Sequence, residues 1–80
     1  MILPTKHLSE DRALLSVGAT VLRCLRTEAT VTRLWDDVRA QRGRAGETPI
    51  RFDWFILALD LLYALGAIEF DDVRVRRVAR

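Results

Sequence analysis

The stretch FDWFILALDLLYALGAIEF, residues 52–70, decides the fold because it joins a helix signal to a strand signal. Asp53 is suited to cap a helix that runs to about Leu65, and Gly66 stands where a glycine commonly ends one. Beyond the glycine, apolar and polar residues alternate as they do in a half-buried strand. The stretch therefore predicts a helix that leads directly into a strand.

Two further helices are expected before this stretch. Ser9 is suited to cap the first, which spans about Glu10–Arg26 because apolar residues recur there at helical spacing. Thr30 is expected to cap the second, which ends near Gln41. Residues 42–49 then read as a loop, since they contain glycines and a proline.

A C-terminal hairpin is predicted around Asp71–Asp72, with valines alternating along its second strand. Three helices followed by a two-stranded wing predict a winged-helix-like fold, mainly α with a small β-hairpin. A three-helix bundle with a C-terminal ribbon is the alternative. Met1–Thr5 could add an edge strand, where Pro4 is tolerated. A chain of 80 residues is expected to form one domain, residues 1–80, with a modest core.

The helix within residues 52–70 is apolar around almost its whole circumference. At about 100° per residue, its core side is predicted to comprise Trp54, Phe55, Ala58, Leu61, Leu62 and Leu65. Asp53 and Asp60 mark the opposite side, and Ile56, Leu57 and Tyr63 lie on or near it. Because so small a domain cannot cover every side of a helix, Ile56, Leu57, Asp60 and Tyr63 are predicted to bind a partner. The alternative is that the N-terminal strand or the long loop folds over them.

Arginine supplies almost all of the positive charge, although the net charge is only +2. Six arginines are candidate contacts for nucleic acid or an acidic partner: Arg39, Arg42, Arg44, Arg74, Arg76 and Arg77. They form two sequence clusters, which could hold a phosphate backbone without reading its sequence. A winged helix that reads DNA places its third helix in the major groove, and here that helix is acidic. DNA contact is therefore the secondary interpretation, and a solvated face or interface rim is the alternative.

The reactive side chains form no recognisable catalytic or metal-binding pattern. His7 is the only histidine and Cys24 the only cysteine, whereas a structural zinc site takes about four ligands. GRAG at residues 43–46 lacks the Lys and Ser/Thr of a phosphate-binding loop. We expect a non-enzymatic chain without cofactor or small-molecule substrate. The lone cysteine, the lack of a secretory signal and an apolar run too short for a bilayer favour the cytoplasm.

Three stretches carry a resemblance to a known family: LPTKH at residues 3–7, TVTRLWDDVRA at 30–40 and ALDLLYALGAIE at 58–69. Over nearly its full length the sequence resembles the small middle components of bacterial ABC-three-component conflict systems, most closely middle component six. The resemblance implies a non-catalytic adaptor between an ABC- or SMC-type ATPase and an effector, in defence against phages or plasmids. A homodimer is compatible with this interpretation. A winged-helix DNA-binding transcriptional regulator and an antitoxin-like inhibitor remain alternatives.

Overall fold

The computed structural model describes residues 5–78, with side chains from residue 12 onward. Its elements follow in the order α1 (Thr5–Cys24), β1 (Glu28–Thr30), α2 (Val31–Arg44), α3 (Phe52–Ala64), β2 (Ile68–Asp71) and β3 (Arg74–Arg77). The strands form one antiparallel sheet in the spatial order β1-β3-β2. The predicted winged-helix-like fold, mainly α with a small hairpin, is confirmed. Among the described helices, none has the length and apolarity that crossing a bilayer would take.

One hydrophobic cluster joins the three helices to the sheet. Its buried members are Val17, Val21, Leu25, Leu34, Val38, Phe55, Ala58, Leu59, Leu62, Ile68 and Val75. They recur at helical spacing on the helices, and the two strand residues lie on one face of the sheet. The cluster therefore fixes which side of α3 turns outward.

Helix α1 begins earlier than its sequence pattern predicted. It starts at Thr5, so the predicted cap Ser9 lies inside the helix, and it ends at Cys24 rather than Arg26. No glycine or proline separates Thr5 from Ser9, so nothing there opposes helical geometry. The predicted N-terminal edge strand is wrong at Thr5, and the rest of it, residues 1–4, lies outside the described part of the chain.

The third strand, β1, comes instead from the connection between α1 and α2. Its register with β3 is set by three opposed pairs: Glu28–Arg76, Ala29–Val75 and Thr30–Arg74. A strand of three residues is too short for a periodic pattern to reveal, and its partner is distant in sequence. Thr30 also caps α2 as predicted, since its hydroxyl accepts a 3.2 Å hydrogen bond from the backbone N–H of Arg33.

The other helix ends differ from their predictions by a few residues. Helix α2 continues to Arg44, past the predicted end near Gln41. Arg51, not Asp53, is the N-cap of α3, and Asp53 lies in the first turn, where a carboxylate favours the helix dipole. The predicted glycine stop is confirmed, because Gly66 has a φ of 78°, in the left-handed region that glycine adopts freely.

Helix α3 buries a slightly different arc from the one predicted. Leu65, predicted to lie in the core, is 66% exposed, because it is the C-cap residue at the very end of α3. Leu59, which was not assigned to the core, is buried between its helical neighbours Phe55 and Leu62. Trp54 is only half-buried. The buried arc is thus centred on Phe55 and Leu62 rather than on Trp54.

Candidate interaction surfaces

The four residues predicted to bind a partner lie on one side of α3. This outer α3 surface consists of Ile56, Leu57, Asp60 and Tyr63, which fall within about 120° of one another around the helix at about 100° per residue. Leu57 is 49% exposed and Tyr63 57%, and Asp60 is exposed as well. Ile56 is half-buried and packs against the core cluster. Ile56 therefore connects the surface to the core, and the other three residues face solvent.

Two aromatic residues that sequence reasoning missed extend the outer α3 surface. Phe70 of β2 is 43% exposed, and its ring centroid lies 5.3 Å from that of Tyr63. Phe70 opposes the buried Val75, so it lies on the core face of the sheet, but at the edge strand, where cover is incomplete. At the other end of α3, Phe52 is 49% exposed and contacts the Trp35 ring edge-on, with centroids 5.3 Å apart.

Negative charge predominates in the segment that carries the outer α3 surface. Between Phe52 and Val73 the sequence has no Lys or Arg and five carboxylates: Asp53, Asp60, Glu69, Asp71 and Asp72. Asp53 pairs with Arg51 at 2.7 Å, and Glu69 pairs with Arg76 at 2.6 Å. Among the side chains that the structure describes, no cation lies within ion-pair distance of the other three. The surface therefore combines exposed apolar groups with excess negative charge.

The two exposed arginines near the end of α2 already have partners. Arg39 lies 2.6 Å from a carboxylate oxygen of Asp36, and its guanidinium carbon is 5.1 Å from the centroid of the Trp35 ring. Arg44 donates a 2.9 Å hydrogen bond to the side-chain oxygen of Gln41. Both guanidinium groups reach solvent, but each is held against its own helix.

Arg42 does not belong with these contacts, because it is only 8% exposed. Its Nε and Nη2 both donate to the carbonyl oxygen of Thr48, at 3.2 and 3.0 Å. Its Nη1 donates to the hydroxyl of Ser16 at 3.4 Å and lies 3.9 Å from the carboxylate of Glu47. Arg42 thus fastens the loop after α2 to α1, a role that the sequence pattern could not distinguish from surface contact.

The arginines on the sheet are matched with carboxylates on neighbouring strands. Arg74 lies 3.6 Å from Glu28 of β1, and Arg76 donates a 2.6 Å hydrogen bond to Glu69 of β2. The hydrogen bond and the charge of Glu69 raise the pKa of Arg76, which stays protonated. Positive and negative side chains therefore alternate across the solvent face of the sheet.

Arg77, the last of the predicted contacts, is exposed but makes hydrogen bonds within the chain. Its Nη1 donates to the backbone carbonyl oxygens of Leu22 and Leu25, at 2.7 and 3.1 Å. Of the six arginines, only Arg39, Arg44, Arg74 and Arg76 remain candidates for outside contact, and they are spread over two elements. They do not form one continuous basic patch.

A comparison with known protein families gives a match. The family model described as ABC-three component (ABC-3C) system Middle Component 6 matches residues 3–78. No curated protein matches the chain. The matched region includes all three helices and all three strands, and with them the outer α3 surface.

Proposed function

Since the chain belongs to the Middle Component 6 family of ABC-three component systems, we propose that it is a non-catalytic adaptor within such a system. In this proposal it links an ABC- or SMC-type ATPase to an effector protein, in bacterial defence against phages or plasmids. A middle component of a multi-component system works with other proteins, which supports a role in protein contact. Such a role requires a surface that the chain does not cover with its own core.

The exposed apolar side of α3 is the observation that carries the proposal. Leu57 and Tyr63 are about half exposed, and Phe70 extends their surface across the edge of the sheet. Apolar patches rimmed by polar residues mark protein interaction sites on small domains. Tyrosine is moreover enriched among residues that dominate binding energy. We assign the outer α3 surface to the ATPase, the larger partner.

A winged-helix DNA-binding regulator has less support from the same geometry. Helix α3 presents Leu57, Asp60 and Tyr63 where a helix that reads bases needs Arg, Lys, Asn or Gln. Arg74 and Arg76 already have carboxylate partners, which a DNA phosphate would have to displace. A net attraction for duplex DNA is therefore not expected from this sheet.

Co-purification tests the adaptor proposal. The tagged chain is expressed with its neighbouring genes, treated with nuclease and recovered, and we expect a large ATPase in stoichiometric amount. The Tyr63→Asp variant should no longer co-purify with the ATPase. The circular dichroism and melting temperature of the variant chain should stay unchanged. Leu15→Asp is the matched control, because Leu15 is 60% exposed but lies on α1. Full recovery of the ATPase with Tyr63→Asp would show that the contact lies elsewhere.

Direct DNA binding tests the regulator. Fluorescence anisotropy with labelled duplex DNA at low salt should show no saturable binding. Binding that falls steeply with salt and disappears in an Arg74→Ala/Arg76→Ala variant would favour the regulator instead.

A further inference from the structure

A second surface lies where the end of α1, strand β1 and α2 meet. Two adjoining grooves of about 380 and 360 Å³ share Cys24, Arg26 and Asp37 in their walls, and so form one channel. This β1 groove is bounded by Arg26, Glu28, Thr30, Arg33, Asp37 and Arg44. No residue of the outer α3 surface lines it.

One wall of the β1 groove is the open edge of a β-sheet. Strand β1 is at the edge of the sheet. On one side of it Arg77 of β3 donates a 2.8 Å hydrogen bond to the carbonyl of Thr27, and on the other Val31 donates one of 3.1 Å to the carbonyl of Val73, the residue before β3. Bonded residues alternate along an antiparallel strand, so Ala29 also faces β3. The backbone N–H groups of Glu28 and Thr30 and the carbonyl of Glu28 therefore point away from β3, toward the groove. Such unpaired edge groups accept an added strand readily.

The opposite wall of the β1 groove is helix α2. Arg33 and Asp37, one helical turn apart, both line the groove, and 3.5 Å separates their charged groups. A groove between an edge strand and a helix suits an extended peptide, which pairs its main chain with the strand. The volume of the groove lies within the range of specific binding sites. This open groove therefore has room for a short extended segment.

The charge of the β1 groove is positive, opposite to that of the outer α3 surface. Five arginines line it: Arg23, Arg26, Arg33, Arg44 and Arg74. Asp37 compensates the charge of Arg33, and Glu28 compensates that of Arg74. Among the described side chains, no carboxylate lies within ion-pair distance of the other three arginines. A negatively charged segment is thus the complementary occupant.

We propose that the β1 groove binds an acidic, extended segment of a second partner protein as a fourth strand beside β1. The main chain of the segment pairs with Glu28 and Thr30, and its carboxylates face Arg26 and Arg44. Nucleic acid fits less well, because a phosphate backbone has no N–H donor for the Glu28 carbonyl and cannot pair with the strand. The assignment to a second partner rests on the adaptor proposal, whereas the binding of an acidic strand does not.

A synthetic peptide tests the groove without any partner protein. The probe is a short, acetylated and amidated peptide of alternating glutamate and valine, titrated into the isotope-labelled full chain and followed by NMR. We expect saturable shifts of the Glu28 and Thr30 amide signals, and at saturation about tenfold slower hydrogen exchange of both amides. The affinity should fall with salt, and a peptide with lysine in place of glutamate should not bind.

Matched variants separate this site from the outer α3 surface. Arg26→Glu/Arg33→Glu should weaken peptide binding by more than about tenfold. Arg12→Glu/Arg39→Glu, the same charge change at two exposed arginines outside the groove, should not. Tyr63→Asp should leave peptide binding intact whatever it does to co-purification. Equal binding of the lysine peptide, shifts without protection of Glu28, or binding of a single-stranded oligonucleotide in place of the peptide would overturn the proposal.

Discussion

The Nη1 atom of Arg77 donates a 2.7 Å hydrogen bond to the backbone carbonyl oxygen of Leu22. This bond joins the final strand of the sheet to the last turn of the first helix. Carbonyl groups in that turn have no helical donor, and a cation there also favours the helix dipole. Arg77 therefore closes the fold between two elements that are distant in sequence.

Replacing Arg77 should accordingly destabilise the fold. Arg77→Met keeps most of the aliphatic length but removes the donor, and we expect the free energy of unfolding to fall by about 1–2 kcal/mol. Urea denaturation followed by circular dichroism measures the change. Arg33→Ala is the control, since an exposed ion pair contributes little, and it should cost less than about 0.5 kcal/mol. Similar losses in both variants would mean that the Arg77 hydrogen bonds are not important.

Two glycines should respond in opposite ways to the same added methyl group. A Cβ at Gly18 would lie 3.8 Å from Cδ2 of Leu62, which is ordinary van der Waals contact. Gly18→Ala should therefore stabilise α1 by about 0.5–1 kcal/mol through helix propensity. Gly66 has a φ of 78°, so Gly66→Ala should cost about 1–2 kcal/mol. Thermal melts of the two variants test the contrast, which fails if both shift in the same direction.

Phe55 should be the more important of two neighbouring aromatic residues. It is fully buried, with its ring centroid 5.1 Å from that of Trp35, and Phe55→Ala should cost about 3–5 kcal/mol. A small domain is expected to have a free energy of unfolding of only about 0.05–0.15 kcal/mol per residue. The loss is therefore comparable to the lower end of the free energy of unfolding of the whole chain. Trp54→Ala removes a half-buried side chain and should leave the chain folded. Circular dichroism at 25 °C distinguishes the two, and an unfolded Trp54→Ala with a folded Phe55→Ala would contradict this order.

The thiol of Cys24 should react slowly for a free cysteine. Burial, and then the charge of Asp37, raise the pKa of Cys24 above its ordinary value. Alkylation by iodoacetamide at about pH 8.5 should therefore be slower in the folded chain than in urea, and faster in Asp37→Asn than in the wild type. Because folding favours the protonated thiol, its contribution to stability should be lost as the pH rises through the raised pKa. An unchanged rate in Asp37→Asn would remove the electrostatic part of this explanation.

Much of the fold could be predicted from local patterns. The cap at Thr30, the glycine stop at Gly66 and the hairpin around Asp71–Asp72 each depend on a few adjacent residues, and all three occur in the structure. Strand β1 could not be predicted in this way. Its three residues form a strand only because β3 lies beside them, so the signal is tertiary rather than local.

The candidate surfaces were predicted only in part. Helical projection placed Leu57, Asp60 and Tyr63 on the outer side of α3, where the structure has them. It gave no indication of Phe70, which joins them through the sheet. Charge clusters in the sequence also did not reveal that Arg42 and Arg77 make hydrogen bonds within the chain, because the acceptors Ser16 and Leu22 are distant in sequence.

The position of β3 between β1 and β2 has a consequence for biosynthesis. β3 follows β1 and β2 along the chain, yet both of them pair with it. Until Arg74–Arg77 has left the ribosome, neither earlier strand has its neighbour, and the end of α1 has no guanidinium to cap it. A nascent or prematurely terminated chain therefore lacks the ordered sheet edge beside α2. If the proposed partner contacts are correct, a copy becomes able to make them at this sheet edge only after β3 has been synthesised.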